Sequence, residues 1–168
     1  VCTPCPLYQK WTPDGAGGNC SACPLGSYNT DTFGAISCTL CEQGYYCPVG
    51  ASHHPCPIGK YNNFTRQHNL SSCIQCDKGK YGNTTGLKTC IICEQGYYCT
   101  GSSRRETCPI GKYGSMLAQT IESEACRTCE KGYYCPGGAS HHPCPIGKYN
   151  NFTQQHNLSS CIQCDKGK

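Results

Sequence analysis

The side chains of this sequence that could do chemistry are its 20 cysteines, six histidines and ten carboxylates. Cys2/Cys5 with Cys20/Cys23, and Cys73/Cys76 with Cys90/Cys93, stand near zinc-ribbon spacing, which would bring four thiolates to one tetrahedral ion. Three features weigh against zinc. Cys38/Cys41 follows Cys20/Cys23 at the same distance, so one pair would be claimed by two ribbons. Isolated cysteines such as Cys47 and Cys56 would go unused, and the Asn-x-Ser/Thr sequons place the chain where thiols oxidise. His53-His54 and His141-His142 also invite a metal, but adjacent histidines in a short polar connector are expected to be solvated. No loop of alternating Asp or Asn offers a calcium site. For catalysis the acidic residues form no paired constellation, cysteines committed to disulfides cannot act as nucleophiles, and no glycine loop cradles phosphate. No metal, no cofactor and no enzymatic activity are expected.

What remains for the cysteines is cross-linking, and composition supports it. Leu, Ile, Val and Phe make up only 21 of 168 residues, with one Trp and one Met, too little for a conventional core. Cysteine at about one residue in eight places the chain in the disulfide-scaffold class. There, each bridge closing roughly 15 residues contributes on the order of 3 kcal/mol by restricting the unfolded chain. Such bridges persist in oxidising compartments, so an extracellular or cell-surface location is expected. Sequons at Asn63, Asn69, Asn83, Asn151 and Asn157, and a weaker one at Asn19, predict N-linked glycans in polar loops. The longest apolar run is Cys90 to Cys93, so no membrane span is expected, and a start at Val1 without a signal peptide reads as an interior piece of a longer secreted protein. The net charge of +4 is dispersed through Lys60, Lys80, Lys112 and Lys148, which gives no support for nucleic-acid or membrane-surface binding. Arg104-Arg105 reads as two solvated charges before it reads as a processing site.

The elements that position these residues are repeats. Residues 42–80 and 130–168 match at 36 of 39 positions, offset by 88, the differences being Gln43/Lys131, Val49/Gly137 and Arg66/Gln154. Within that period three C-x5-C-x8-C stretches recur, at Cys41-Cys47-Cys56, Cys93-Cys99-Cys108 and Cys129-Cys135-Cys144. Each runs through Pro-x-Gly-x-Tyr to a C-x2-C pair: Cys73/Cys76, Cys126/Cys129 and Cys161/Cys164. Tyr28, Tyr61, Tyr81, Tyr98, Tyr113 and Tyr149 each stand five residues after a cysteine, with glycine three after it. The glycine can supply a turn with positive φ, and the ring can then cover an adjacent disulfide as a miniature core. The fold class expected is therefore small disulfide-rich repeats, mostly irregular with short β-hairpins, forming an elongated rod without a conventional core. Residues 115–125 carry moderate helix formers and predict a turn or two of helix.

Cys56-Pro57-Ile58-Gly59-Lys60-Tyr61, followed by Cys73-Ile74-Gln75-Cys76, resembles the ephrin-receptor-like cysteine-rich repeat, which is related to tumour-necrosis-factor-receptor cysteine-rich modules. The signature returns at Cys23 to Tyr28, Cys108 to Tyr113 and Cys144 to Tyr149. The resemblance implies bridges Cys23–Cys38, Cys56–Cys73, Cys108–Cys126 and Cys144–Cys161, and by the same logic Cys76–Cys90 and Cys5–Cys20. Cys41/Cys47, Cys93/Cys99 and Cys129/Cys135 are left as short local bridges, with Cys2 and Cys164 needing partners outside the chain. It divides the chain into atypical first units over 1–40, a repeat with one extra loop over 41–92, a repeat over 93–128 and a truncated near-copy over 129–168. Family members are mostly ectodomain segments without chemistry of their own. Near-copies 88 residues apart favour a self-associating structural filament over the alternative, a ligand-binding or adhesion ectodomain of a cell-surface receptor.

Overall fold

The computed structural model describes residues 5–6, 9–13, 15, 17–30, 36–49 and 53–165. Among them lie nine two-stranded antiparallel sheets, each a single hairpin. Most strands are two residues long, as in Lys60–Tyr61 paired with Ile74–Gln75, where Lys60 faces Gln75 and Tyr61 faces Ile74. The sequence makes each hairpin the same way. A turn opens two residues after or directly behind a cysteine, closed by bonds such as Lys60 N–H to the Pro57 carbonyl (3.0 Å) or Tyr97 N–H to that of Glu94 (3.2 Å). In every hairpin but the first, where Tyr8 stands there, its third residue is glycine with positive φ, as a type II turn requires.

Every hairpin owns one disulfide. Six bridges span 14 to 18 residues: Cys5–Cys20, Cys23–Cys38, Cys56–Cys73, Cys76–Cys90, Cys108–Cys126 and Cys144–Cys161. Three span only 6 residues: Cys41–Cys47, Cys93–Cys99 and Cys129–Cys135. These are the pairs that the family resemblance implies. Cys164 is free, and Cys2 lies outside the described residues. The core is correspondingly made of sulfur: apart from Tyr81, Tyr113 and Ala125, every buried apolar residue is a cysteine. Tyrosines cover the bridges: Tyr97 and Tyr133 pack on that of their own hairpin, and three others on that of the next. Tyr81 packs on Cys93 and Cys99, Tyr98 on Cys108 and Cys126, and Tyr113 on Cys129 and Cys135.

The chain forms two compact units, one of residues 1–76 with 82–90 and the other of residues 77–81 with 91–168. Within the first, the Gly44 carbonyl accepts from Cys56 N–H (2.8 Å), while Gly44 N–H donates to the Asn62 carbonyl of the following hairpin (2.7 Å). In the second, Gly111 accepts from Cys129 N–H (3.0 Å) and donates to the Cys135 carbonyl (2.9 Å). Gly26, Gly44, Gly59, Gly79, Gly111 and Gly132 thus each close their own hairpin and dock on a later one. The contact reaches two hairpins onward as well: a Cβ built on Gly111 would stand 2.6 Å from the Gln154 carbonyl oxygen, and one on Gly79 2.5 Å from that of Ala118. The residues supplying these carbonyls, Arg66, Ala118 and Gln154, are the described non-glycine residues with positive φ. The expected turn or two of helix within 115–125 is one α-helical turn, Glu122–Ala125, which does not reach further back. The reason lies upstream, where left-handed Ala118 gives its N–H to the Cys93 carbonyl (2.8 Å) and Gln119 gives its carbonyl to Cys99 N–H (2.9 Å), so these groups serve a neighbouring hairpin.

Three buried asparagines join hairpins through their side chains, and nothing in the sequence separates them from polar loop residues. Asn62, fully buried, donates from Nδ2 to the Tyr45 carbonyl (2.9 Å) and accepts Phe64 N–H at Oδ1 (3.0 Å). Asn150 repeats both bonds with Tyr133 and Phe152, and Asn29 donates to the Gln9 carbonyl. Truncating such a side chain leaves a buried donor and acceptor unmade, which costs about 2 kcal/mol. Asn62→Ala and Asn150→Ala should each lose about that much in denaturant unfolding. Asn63→Ala and Asn151→Ala, at exposed neighbours, should move the midpoint little.

Candidate functional site: a cation clasped between tyrosines

The three short bridges leave a problem. Each closes only the turn of its hairpin, so the returning strand, at 54–55, 106–107 or 140–143, has no covalent tie to the outgoing one. The structure answers it with one arrangement built three times. His53, Arg105 and His141 occupy the same position in the three hairpins, at offsets of 52 and 88 residues. His53 Nε2 lies 3.0 Å from Glu42 Oε1, Arg105 Nη1 lies 2.6 Å from Glu94 Oε1, and His141 Nε2 lies 2.9 Å from Glu130 Oε2. Each glutamate directly follows the cysteine that opens the hairpin, so the pair ties the returning chain to the start.

Tyrosines close both faces. His53 stacks between Tyr28 and Tyr45, with centroids at 4.6 and 3.8 Å, and His141 between Tyr113 and Tyr133 at 4.1 and 4.2 Å. The Arg105 guanidinium sits over Tyr81 and Tyr97 at 5.6 and 4.2 Å. One ring of each sandwich comes from the short hairpin and one from the hairpin before it, so the clasp also joins neighbours. Tyr81 and Tyr113 add hydroxyl bonds to Glu94 (3.2 Å) and Glu130 (3.0 Å).

The electrostatics match a cation held against a carboxylate. The Arg105 bond chiefly holds the Glu94 carboxyl below its usual range, and Glu94 in turn holds the guanidinium charged. Burial works to raise Glu130, but its own backbone N–H, His141 and Tyr113 together outweigh it and keep that carboxyl low. Burial first, and then the glutamate beside each hydroxyl, pushes Tyr28, Tyr81 and Tyr113 upward. The contacts the constellation makes are cation–π attraction and charge-assisted hydrogen bonding.

This corrects the reading of the histidine pairs as solvated. His53 and His141 are clasped, and His54 and His142 stack on Tyr46 and Tyr134 at 5.3 and 5.2 Å. Arg105 is likewise no free surface charge. Aligning 41–56, 93–108 and 129–144 exposes the shared position, though the switch between His and Arg conceals the shared role. Among the described residues no group of three or more His, Cys, Asp or Glu is placed to hold a metal ion. Cys73 and Cys76, adjacent in the ribbon spacing, belong to different bridges. Asn63, Asn69, Asn83, Asn151 and Asn157 are all exposed. Asn69 and Asn157 use Oδ1 to accept Ser71 and Ser159 N–H at the head of 3-10 turns Leu70–Ser72 and Leu158–Ser160.

Nine bridged hairpins and the clasps between them define a disulfide-rich module of extracellular type, and no helix among the described residues is long and apolar enough to cross a membrane. The chain is 30% identical over 80 residues to the mouse sushi, von Willebrand factor type A, EGF and pentraxin domain-containing protein 1, and equally to its rat counterpart. That alignment covers 44% of this chain and 2% of the relative's length. No family model matches the chain.

Proposed function

We propose that this chain is a structural segment of an extracellular or cell-surface glycoprotein, a rod or filament of tandem disulfide-stapled repeats of the ephrin-receptor-like kind, with no catalysis of its own. One observation carries the reading. Joints of the same few kinds recur between hairpins: turn glycine to later carbonyl and buried asparagine to earlier carbonyl in both units, and tyrosine to the next bridge in the second. A chain held by neighbour contacts of one kind extends by adding units, as quasi-one-dimensional arrays do. Exposed Leu25, Ile58, Ile110 and Ile146, recurring at one place in the turn, support self-association, and glycans on Asn63, Asn69, Asn83, Asn151 and Asn157 would hydrate the remainder. The match to a protein named for several module types supports the second reading, a binding or adhesion ectodomain.

Secretion of the chain from a eukaryotic host, followed by small-angle scattering, sedimentation and glycopeptide mapping, tests this. The filament reading expects an extended particle, concentration-dependent association and modified sequons. A compact particle that stays monomeric at every concentration would overturn it in favour of the ectodomain.

A further inference from the structure

We propose that His53 and His141 make a proton-operated version of the clasp that Arg105 makes permanently, so that acidification tightens two of the three short hairpins against their predecessors. The starting observation is equivalence. The same position, at the returning strand of the same hairpin type (one residue before it for His53 and Arg105, within it for His141), meets the equivalent glutamate and the equivalent two tyrosines in all three copies. Only the occupant differs, and it differs in how its charge responds to pH. A guanidinium stays charged throughout, whereas imidazole changes charge between about pH 5 and 8.

The charge matters because of what surrounds it. Around His53 stand the Glu42 carboxylate and the rings of Tyr28 and Tyr45. Around His141 stand Glu130, Tyr113 and Tyr133, with Arg127 reaching the Tyr113 hydroxyl from the paired strand. A neutral imidazole can give Glu42 or Glu130 an ordinary hydrogen bond and stacks as one more ring. With the proton added, the bond becomes charge-assisted, roughly twice as strong, and the cation faces two ring quadrupoles at once. The unfolded chain offers neither contact. The charged form therefore gains more on folding than the neutral form, and the clasp contributes most on the acid side, weakening as pH rises. It fails only when the glutamate itself takes a proton, and Glu130 is held low by its own contacts. Arg105 keeps its joint closed at either extreme.

The chain holds four further histidines, His54, His68, His142 and His156, so the test is a difference between variants. The oxidised 168-residue chain and its H53R/H141R variant are melted at pH 5.5 and pH 8. Arginine should raise the midpoint by about 4 °C at pH 8, where histidine is neutral, and by less than about 1 °C at pH 5.5, given about 1 kcal/mol per clasp. R105H should do the converse, matching the parent in acid and falling below it at pH 8. E42Q/E130Q keeps an acceptor and removes the carboxylate charge, so its deficit against the parent should be larger in acid and shrink as pH rises. If H53R/H141R does not fold, R105H and E42Q/E130Q decide. Gaps of equal size at both pH values would overturn the proposal and leave the histidines as packing.

Discussion

Reduction of the bridges should unfold this protein completely, while a metal chelator at the same concentration should leave it intact. A bridge closing about 15 residues contributes on the order of 3 kcal/mol, and one closing about six residues nearer 2. Nine such terms exceed the roughly 5–15 kcal/mol by which ordinary domains are stable. The residual core cannot compensate, because it consists of the same sulfurs with Tyr81, Tyr113 and Ala125. Circular dichroism in the tyrosine region, with thiol counting by mass spectrometry, follows the transition. The oxidised chain should show no reactive thiol at any of the eighteen bridged cysteines. Loss of structure on chelation, with those cysteines reduced, would show that metal and not disulfide holds the fold.

Gly111→Ala should cost about 3 kcal/mol or more, and Gly132→Ala only about 1 kcal/mol, although both glycines hold turns of the same kind. Their φ values are +77° and +84°, so the left-handed penalty of about 1–2 kcal/mol falls on both. The difference is space. A Cβ on Gly111 would meet the Gln154 carbonyl oxygen at 2.6 Å and its carbon at 3.2 Å, whereas a Cβ on Gly132 meets nothing within 4 Å. Backbone cannot swing aside as a side chain can, so Gly111→Ala must separate its hairpin from the one carrying Gln154. Hydrogen exchange at residue 111 and at Gln154 should report the separation, since the residue 111 N–H donates to the Cys135 carbonyl and Gln154 N–H to that of Cys129. Equal costs for the two substitutions would mean that conformation alone, and not docking, calls for glycine here.

The presence of bridges and hairpins was legible because cysteine spacing is a one-dimensional signal, while which cysteines pair was implied by the family resemblance, each bridge closing within its own hairpin. Turn glycines and tyrosines were legible for the same reason, standing at fixed distances after a cysteine. What each tyrosine covers was half legible: a neighbouring disulfide was expected, but not that it belongs to the hairpin ahead. Asn62 was hidden by Asn63, since two adjacent asparagines in a polar stretch look alike until the Tyr45 carbonyl arrives from another hairpin. Gln154 and Ala118 were invisible as docking residues because their contribution is a backbone oxygen, which no side chain advertises. The clasp escaped because its occupant changes type from His to Arg while its surroundings stay constant, and surroundings are tertiary.

The division of labour between bridges and clasps bears on how such a chain meets proteases. A cut between two bridged cysteines, anywhere from 57 to 72 or 109 to 125 for instance, leaves both fragments covalently attached. The long stretches outside any bridge are 48–55, 100–107 and 136–143, where a single cleavage would sever the chain. Those are the stretches that carry His53, Arg105 and His141. Trypsin-like enzymes would be drawn to Arg104-Arg105, the dibasic pair in the middle one, yet the second arginine is pinned between two rings and a carboxylate and cannot extend into a protease cleft without giving them up. The clasp thus guards the breaks in the covalent armour, and a secreted chain gains digestive resistance at the places where its cysteines provide none.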